Sequence, residues 1–474
     1  MHIIKSINDA VNSVVWGVPM LILIIGTGIY FSFRLGFFQV SKFRHILSST
    51  IFSAFGKKKE QNEKALTPFQ AMSTALAATI GTGNIAGVAS AVAIGGAGAV
   101  FWMWVSAFFG MMTSFAENVL GVYYRKKNKK GEWSGGAMYY ISEGLKNKKL
   151  AKVLAVLFSA FCVLASFGIG NMAQVNSIAT SLENAFNIPP LAVGIVLAVI
   201  VGFILIGGVK RIGSVAEKIV PFMAMIYILF TLCVVILNIK AIPEVLSSIF
   251  KGAFGFDAVA GGISGALIKN AMTLGFKRGV FSNEAGLGSG VIVNSTADVK
   301  EPVEQGMWGV FEVFFDTIVV CTLTAFTVLS TGVHKTSSAE GASLVGEAFS
   351  QVFSSYAGAI VAVSITLFAF TTVLGWAFYG SKCLEYLFGG KSAVVYKIIF
   401  SLMLIVGSTM NLTLALEISD TLNALMAIPN LIGVLLLSGT VVKITRNYSD
   451  RKFKNKKVSP MLSAYTEIQF EMEK

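Results

Sequence analysis

A short polar segment interrupts one of the most apolar stretches of the chain. Gly81, Thr82, Gly83 and Asn84 lie within the run 68–95, where two glycines, a hydroxyl and an amide favour departure from helical geometry. In hydrocarbon each unpaired backbone group is costly, so a non-helical backbone is tolerated only where protein, water or a ligand satisfies it. The segment therefore predicts a broken membrane helix with a binding site at the break.

The residues that usually carry enzyme chemistry are scattered. The histidines and cysteines show no metal-ligand spacing, and none of the histidines falls in an apolar run. They are His2, His45, His334, Cys162, Cys233, Cys321 and Cys383. We therefore predict that the protein is not an enzyme and has no cofactor and no catalytic residues.

Ionisable residues inside apolar runs are candidates for a functional role. Glu117, Lys269, Glu312 and Asp316 qualify, and the last two are spaced i, i+4, with Lys269 a candidate partner for either. The sequence leaves their roles open, with an ion-pair network or gate support favoured over substrate contact. Glu284 and Asn283 are candidates for an inner gate.

The composition identifies the elements that must position these residues. Of 474 residues, 54% are hydrophobic and 13% are charged, with a mean hydropathy of +0.72. Soluble domains carry about 25% charged residues. The net charge of +13 is dispersed between apolar runs and forms no single basic face, so we expect no nucleic acid partner. The chain is predicted to be an all-α polytopic membrane protein.

Eleven apolar stretches are long enough to cross a bilayer, which needs about 20 residues per helix. They lie at 11–33, 68–95, 98–124, 151–184, 189–206, 213–238, 256–276, 302–331, 357–380, 395–412 and 419–442. With the N-terminus outside, the internal segments hold 33 of the 38 Lys and Arg, when Lys152, Lys218 and Lys397 at the internal ends of their spans are included, and the external segments hold four. The positive-inside rule then predicts an external N-terminus and a cytoplasmic C-terminus.

The charge runs in the internal loops, including 125–130, are predicted to be solvated topology anchors. Aromatic and basic residues alternate over 35–55, which is typical of an interfacial amphipathic segment.

A second glycine-rich interruption, 261–265, falls in the seventh span. Five spans separate the two breaks, and an odd offset reverses direction. Spans two to six and seven to eleven are therefore predicted to be inverted repeats, an arrangement that indicates a secondary transporter with its site at the midplane. Close helix packing at small residues is the alternative for each break. We expect an N-terminal span and interfacial segment at 1–60, repeats at 61–240 and 241–445, and a basic tail at 446–474.

Three blocks resemble the alanine or glycine:cation symporter family. The first is 77–89 with 95–104, the second is 277–289, and the third is Thr371-Thr372-Val373-Leu374-Gly375-Trp376. The match covers about 65–380 and is specific, because the three blocks agree in order and spacing.

The resemblance implies a leucine-transporter-type fold, with five-plus-five inverted repeats and one extra N-terminal helix. It implies sodium-coupled import of alanine or glycine across the plasma membrane of a bacterium or archaeon. We expect a monomer whose partners are the amino acid, sodium and the lipid bilayer.

The substrate of such a protein is a zwitterion, so the site must supply donors for a carboxylate and acceptors for an ammonium group. N–H groups at Thr82, Gly83 and Asn84 are predicted to hold the carboxylate, because they begin the outer half-helix. Carbonyls near Ala78 and Gly262 are predicted to face the ammonium group.

Two further substrate residues follow from the resemblance. Gln174 in the fourth span is predicted to lie beside the substrate, or alternatively to bond across helices. Trp376 is predicted to close the side-chain end of the pocket and so to favour small residues.

A sodium site is predicted between the second and ninth spans. Its five neutral oxygens are implied by the resemblance: the Thr371 and Thr372 hydroxyls and the carbonyls of Ala77, Ile80 and Phe368. A Thr pair in a helix also bonds its own i−4 carbonyls, which is the alternative. The absence of a carboxylate from this set favours sodium over a proton.

Three other functions remain open on the residues alone. They are a proton-coupled amino-acid transporter, an ion channel built on the same broken helices, and a membrane-embedded transferase. The sequence does not discriminate alanine from glycine, D from L forms, or the sodium stoichiometry.

Overall fold

The computed structural model describes residues 2–54, 65–129, 131–255, 263–410 and 413–473. Within these ranges the chain is almost entirely helical. The sheet in the described part is a two-stranded antiparallel hairpin, β1 (Lys126–Lys127) and β2 (Trp133–Ser134). The predicted all-α class is confirmed.

Eight helices in the described ranges are long and apolar enough to cross a membrane. They are Lys5–Arg34, Gly98–Tyr123, Lys148–Phe186, Gly208–Leu237, Pro302–Thr331, Gly341–Phe388, Gly390–Thr409 and Glu417–Leu436. The pair Pro68–Thr79 and Gly83–Gly95, bent by 54°, makes a ninth. The two remaining predicted positions are occupied by Pro190–Ile206, which is shorter, and Ile263–Asn283, which carries several charges.

The helices are numbered in chain order. The first half comprises α1 (His2–Val15), α2 (Val18–Arg34), α3 (Phe38–Ser41), α4 (Phe43–Ser49), α5 (Ile51–Ala54), α6 (Pro68–Thr79), α7 (Val88–Gly95), α8 (Gly98–Tyr123), α9 (Ala137–Gly144), α10 (Lys148–Phe167), α11 (Ala173–Phe186), α12 (Pro190–Ile206) and α13 (Gly208–Leu237).

The second half comprises α14 (Ile242–Phe254), α15 (Ile263–Asn283), α16 (Gly290–Asn294), α17 (Pro302–Val313), α18 (Thr322–Thr331), α19 (Val333–Thr336), α20 (Gly341–Phe353), α21 (Ala357–Phe388), α22 (Gly390–Thr409), α23 (Thr413–Leu436), α24 (Ser438–Lys454) and α25 (Thr466–Glu473). Short 3₁₀ turns occur at Ile239–Ala241 and Ser354–Tyr356.

The outer surface of the bundle is apolar, as a lipid environment requires. Val199, Phe203 and Ile206 of α12 are 67%, 66% and 81% exposed, and comparable residues line α13 and α22. A soluble protein rarely exposes apolar surface on this scale. The chain is a multi-pass membrane protein.

The bent helix begins at a strong N-terminal signal. Thr67 accepts a hydrogen bond from the Gln70 N–H, the Gln70 side chain accepts one from the Thr67 N–H, and Pro68 occupies the first helical position. This capping box fixes where α6 starts, twelve residues before the break.

In the described ranges three π-helical segments interrupt the spans, at Gly83–Gly87, Gly168–Met172 and Phe314–Cys321. The first coincides with the predicted break, whereas the other two were not predicted. Such π segments are frequent at functional sites, where they displace backbone from the regular helix.

The amphipathic region that follows α2 forms three short helices, α3 to α5. Phe38 and Ile46 are buried while Phe52 is 68% exposed, in keeping with the predicted interfacial character. α24 lies beside α4, where His45 bonds to Tyr448, and it also packs against α8, which leads into the hairpin. We call the region formed by α3 to α5, the hairpin and α24 the basic end of the bundle. There Arg451 makes a two-pronged ion pair with Glu301, and this pairing raises the pKa of Arg451.

Arg125 corrects one prediction, since it is buried and not a solvated anchor. Its guanidinium donates to the carbonyls of Ser295 (3.2 Å), Ala297 (2.5 Å) and Val299 (2.6 Å), and it lies 4.1 Å from the ring centre of Trp133. A planar guanidinium presents its N–H donors in a fixed fork over separate nitrogens, a geometry that the three donors on one ammonium nitrogen do not reproduce.

Replacing Arg125 with lysine should therefore lower the stability of the fold. We expect a loss of about 2 to 4 kcal/mol, because hydrogen bonds to charged groups contribute about 1.5 to 3 kcal/mol each. Thermal unfolding of the purified protein, followed by tryptophan fluorescence, measures this as a lower transition temperature. Arg446→Lys, at an exposed position, is the control, and an equal shift in both variants would contradict the role of Arg125.

Candidate functional site

The predicted break is closed by the side chain of Asn84. The Gly81 N–H donates to Asn84 Oδ1 at 2.9 Å, and the Asn84 N–H donates to the Gly81 carbonyl at 3.2 Å. α6 ends at Thr79, and the chain resumes as the π segment Gly83–Gly87 in a different direction.

These bonds release two carbonyls of the break. In a continuous helix the N–H groups of Gly81 and Asn84 would bond to the carbonyls of Ala77 and Ile80. Both N–H groups bond within the break instead, so the Ala77 and Ile80 carbonyls are left without their helical donors. They are two of the three backbone oxygens that the family resemblance implied for the cation.

Asn84 is held in place by a buried carboxylate that the sequence analysis left unassigned. Its Nδ2 donates to Asp316 Oδ1 at 2.7 Å, while Ser282 and Thr317 each donate to Asp316 Oδ2 at 2.8 Å. Asp316 lies in the π segment Phe314–Cys321 and is fully buried. In the sequence Asp316 stands out only as a carboxylate inside an apolar span, and that pattern does not indicate which residue it binds.

The threonine pair of α21 faces this unwound backbone. The Thr372 hydroxyl lies 3.4 Å from the Ile80 carbonyl and 3.0 Å from the Phe368 carbonyl, and the Thr371 hydroxyl lies 2.9 Å from the same Phe368 carbonyl. Gly81 makes the approach possible, because a Cβ there would lie 2.6 Å from Thr372 Oγ1. Thr372 thus lies between the Ile80 and Phe368 carbonyls, whereas Thr371 shares the Phe368 carbonyl and also lies 3.4 Å from the Met223 sulfur. Ala77 is buried one turn before Ile80.

The chemistry of these oxygens fits a hard monovalent cation. Both hydroxyls bond to the Phe368 carbonyl of their own helix, Thr372 at the i−4 spacing of the alternative prediction and Thr371 at i−3. A hydroxyl that donates its proton keeps lone pairs for a cation, so the two arrangements are compatible.

Thr82 and Gln174 face each other beside the break. The Thr82 hydroxyl donates to Gln174 Oε1 at 3.3 Å, and Gln174 Nε2 donates to the Ile169 carbonyl at 2.9 Å. Ile169 belongs to the π segment Gly168–Met172, so two irregular backbones flank the same polar pair. Gln174 thus lies beside the break and makes the cross-span bond of the alternative prediction.

Trp376 packs against the second of these irregular segments. Gly170 touches the Trp376 side chain so closely that any Cβ at Gly170 would collide with it. The indole is 1% exposed and donates a hydrogen bond to Glu284. Trp376 is therefore adjacent to both Gln174's helix and the turn that follows α15.

The other residues singled out in the sequence have different outcomes. Gly262 lies outside the described residues. Lys269 is exposed, whereas Glu312 and Asp316 are buried and bond to amide and hydroxyl groups. Lys269, the candidate partner for either carboxyl group, therefore pairs with neither of them in the described part of the chain. Glu117 is buried and accepts a hydrogen bond from Asn430.

Comparison with known proteins decides the family. The model of the "Sodium:alanine symporter family" matches residues 1–462. The chain belongs to the sodium:alanine symporter family. Members of this family are transporters and not enzymes, which confirms that prediction.

Two relatives of this symporter illustrate the range of the family. The "Sodium/alanine symporter AgcS" of Methanococcus maripaludis is 46% identical over 94% of this chain and 97% of that protein. The "Probable sodium/glutamine symporter GlnT" of Bacillus subtilis is 37% identical over 95% of this chain and 92% of that protein.

The symporter also shares its fold with solved transporters. A crystal structure of MhsT with L-phenylalanine has a TM-score of 0.54 at 12% identity, covering 81% of this chain and 99% of that chain. A manganese transporter of Eremococcus coleocola has a TM-score of 0.50 at 12% identity, covering 88% and 86%. The neighbours have the leucine-transporter fold, as the resemblance implied.

Proposed function

We propose that this chain imports alanine or glycine together with sodium by alternating access. The proposal rests on one observation: the proposed sodium site and the proposed substrate site are both built from the same break in the helix. Asn84 closes the break and thereby frees the Ala77 and Ile80 carbonyls, and Thr372 of α21 reaches the same point. One unwound segment then holds both ligands, so each affects the binding of the other.

Sodium is the proposed coupling ion, with Ala77, Ile80, Phe368, Thr371 and Thr372 as its ligands. These oxygens are neutral, and a proton-binding group is absent from the set. Moving one positive charge inward through 100 mV supplies roughly 2.3 kcal/mol, before the concentration gradient is added.

The substrate is proposed to lie between the break and α21. The N–H groups at the start of the outer half-helix, around Thr82 and Gly83, bind the carboxylate. Gln174 lies beside it, and the ammonium group faces carbonyls near Ala78 and Gly262. Asn84 acts through the backbone that it organises, because both atoms of its amide are already bonded within the protein.

Small side chains are favoured by the fit of Trp376. The indole is packed against Gly170 with no room for a methyl group between them, so it forms a rigid wall. Cavity fit alone discriminates by about 1 to 3 kcal/mol per methylene, and a rigid wall adds steric exclusion of larger side chains.

The proposed architecture follows the sequence analysis. It has eleven spans, repeats at 61–240 and 241–445, and one extra span at 1–60. The tail at 446–474 and the rest of the basic end face the cytoplasm of a bacterium or archaeon, the N-terminus is outside, and the protein works as a monomer in the plasma membrane.

Uptake by the reconstituted protein tests this function. Proteoliposomes with an inward sodium gradient should accumulate radiolabelled alanine, and replacing sodium with potassium should abolish accumulation. Unlabelled glycine and D-alanine should be tested as competitors beside glutamine, which the Bacillus subtilis relative's name suggests. Accumulation driven by a proton gradient without sodium would show that the coupling ion is wrong.

A further inference from the structure

A second polar cluster lies one helical turn from Asp316, toward the basic end. It contains the carboxyl groups of Glu117 on α8, Glu284 after α15, and Glu312 on α17. Their exposed fractions are 4%, 6% and 7%. Glu284 interacts electrostatically with both of the others, so the three groups form one site, which we call the acidic cluster.

No positive side chain balances these carboxyl groups in the described part of the chain, where none of them forms an ion pair with lysine, arginine or histidine. Ionised carboxylates are very costly to bury without a partner, and three in one site repel each other. While the three carboxyl groups are buried together, some of them must therefore be protonated.

Glu117 and Glu284 are supplied with donors. Glu117 accepts from Asn430 Nδ2 and from the N–H groups of Gly286 and Gly288. Glu284 accepts from Ser289 and from the Trp376 indole. Such donors stabilise the ionised form of a carboxyl group.

Glu312 differs from both. Its Oε2 accepts one bond from Asn294 at 3.1 Å, but its Oε1 is buried without a hydrogen-bond partner among the described residues. The Tyr379 hydroxyl, which interacts electrostatically with Glu312 and Glu284, is also buried without a partner there, as is Gln305 Oε1. An ionised carboxyl group with one oxygen buried without a donor is costly, and a proton on Glu312 would remove that charge.

The turn beside the cluster has left-handed backbone at three positions. Glu284, Gly286 and Gly288 have positive φ angles of 55°, 92° and 77°. Glu117 and Asn430 hold this turn through Gly286 and Gly288, and Glu284 connects it to Trp376 in the proposed pocket. The cluster is thus placed between the substrate site and the basic end.

We propose that Glu312 is a proton-binding site of the inner gate, protonated while the gate is closed and deprotonated when the gate opens. This inference rests on the proposed function, because it takes the basic end as cytoplasmic. Opening admits water, the O–H bond of the neutral carboxyl group breaks, and its proton passes to water on the cytoplasmic side. Closing takes one proton back, so the site makes opening sensitive to cytoplasmic pH without requiring net proton transport.

The titratable groups on neighbouring elements fit this assignment. Glu117, Glu284 and Tyr379 face Glu312 from α8, the turn after α15 and α21. The titratable groups that α4 and α24 place near α17 are His45, Tyr448 and Arg451. His45 bonds to Tyr448, and Arg451 forms an ion pair with Glu301.

Hydrogen exchange tests the site without substrate or sodium. The peptide 284–296 of the full-length protein in nanodiscs is followed by mass spectrometry between pH 6 and pH 8, with correction for the intrinsic exchange rate. Since one proton is linked to opening, corrected exchange should rise by up to about 10-fold per pH unit. Glu312→Gln should flatten this slope to within about 2-fold, whereas Glu347→Gln, on the exposed face of α20, should keep it.

The outcomes separate the two proposals. A flat wild-type profile, or an unchanged slope in Glu312→Gln, overturns the proton site even if alanine uptake depends on sodium. A pH-dependent profile lost in Glu312→Gln supports it even if alanine is not the substrate. If Glu312→Gln does not fold, Tyr379→Phe replaces it and should displace the pH midpoint of the wild-type slope; an unmoved midpoint then contradicts the proposal.

Discussion

Replacing Asn84 with alanine is expected to lower sodium-driven alanine uptake by about 100-fold or more. The change removes the acceptor of the Gly81 N–H and the donor to Asp316, which are both fully buried. Without the Asn84 side chain, the Gly81 N–H can return to the Ala77 carbonyl and rebuild a helical turn. A 100-fold loss corresponds to about 2.8 kcal/mol, in the range for losing one or two bonds to a charged or buried group.

Variants of Asp316 distinguish its hydrogen bond to Asn84 from its negative charge. Asp316→Ala should resemble Asn84→Ala, because the Asn84 amide loses its anchor. Asp316→Asn keeps an oxygen for Asn84 and lets the Ser282 and Thr317 hydroxyls reorient to accept, so it should retain far more activity.

The measurements are the maximal uptake rate and the half-saturating concentrations of alanine and sodium. Asn176→Ala provides a control, since Asn176 also donates to carbonyls but of α22 and away from the break. Normal sodium and alanine affinities in Asn84→Ala would contradict the view that Asn84 organises both sites.

Replacing Thr372 with alanine is expected to raise the half-saturating sodium concentration by about 10-fold or more, with a small effect on alanine binding at saturating sodium. Thr372 is the residue of α21 that reaches the Ile80 carbonyl, so its hydroxyl connects the two sides of the proposed cation site. One missing oxygen ligand corresponds to about 1.4 kcal/mol or more, which is tenfold in affinity.

Two further variants make this measurement specific. Thr372→Ser keeps the hydroxyl and should restore most of the sodium affinity. Thr366→Ala removes a hydroxyl from the same helix that bonds its own i−4 carbonyl at 2.7 Å and is partly exposed, so it should behave as wild type. Equal sodium affinities in Thr372→Ala and Thr366→Ala would exclude Thr372 as a ligand.

The bend at Gly81 to Asn84 could be predicted because its cause is local. Two glycines and two polar side chains inside an apolar run conflict with a continuous helix, and that conflict is visible in the sequence. The meeting of Thr372 with Ile80 came instead from the family resemblance, since no local pattern pairs residues 292 positions apart.

Other features depend on contacts that no local pattern encodes. The π segment at Gly168–Met172 follows from tertiary packing, where Gly168 meets Ser419 and Gly170 meets Trp376. The role of Asp316 depends on Asn84, which lies 232 residues away. Arg125 looked like part of a solvated charge run, and its carbonyl partners come from a loop far along the chain.

The contacts around Arg125 also determine where the bent helix can flex. Leu66, just before α6, pairs with the loop after α16 through Leu66 N–H to Thr296 O and Asp298 N–H to Leu66 O, at 3.2 and 2.7 Å. Arg125 binds the same loop through Ala297 and its neighbours. The N-terminal end of α6 is therefore held against the C-terminal end of α8 through this loop. A change in the angle between the two halves of the bent helix must then occur in the three residues between Thr79 and Gly83, where the proposed ligands bind.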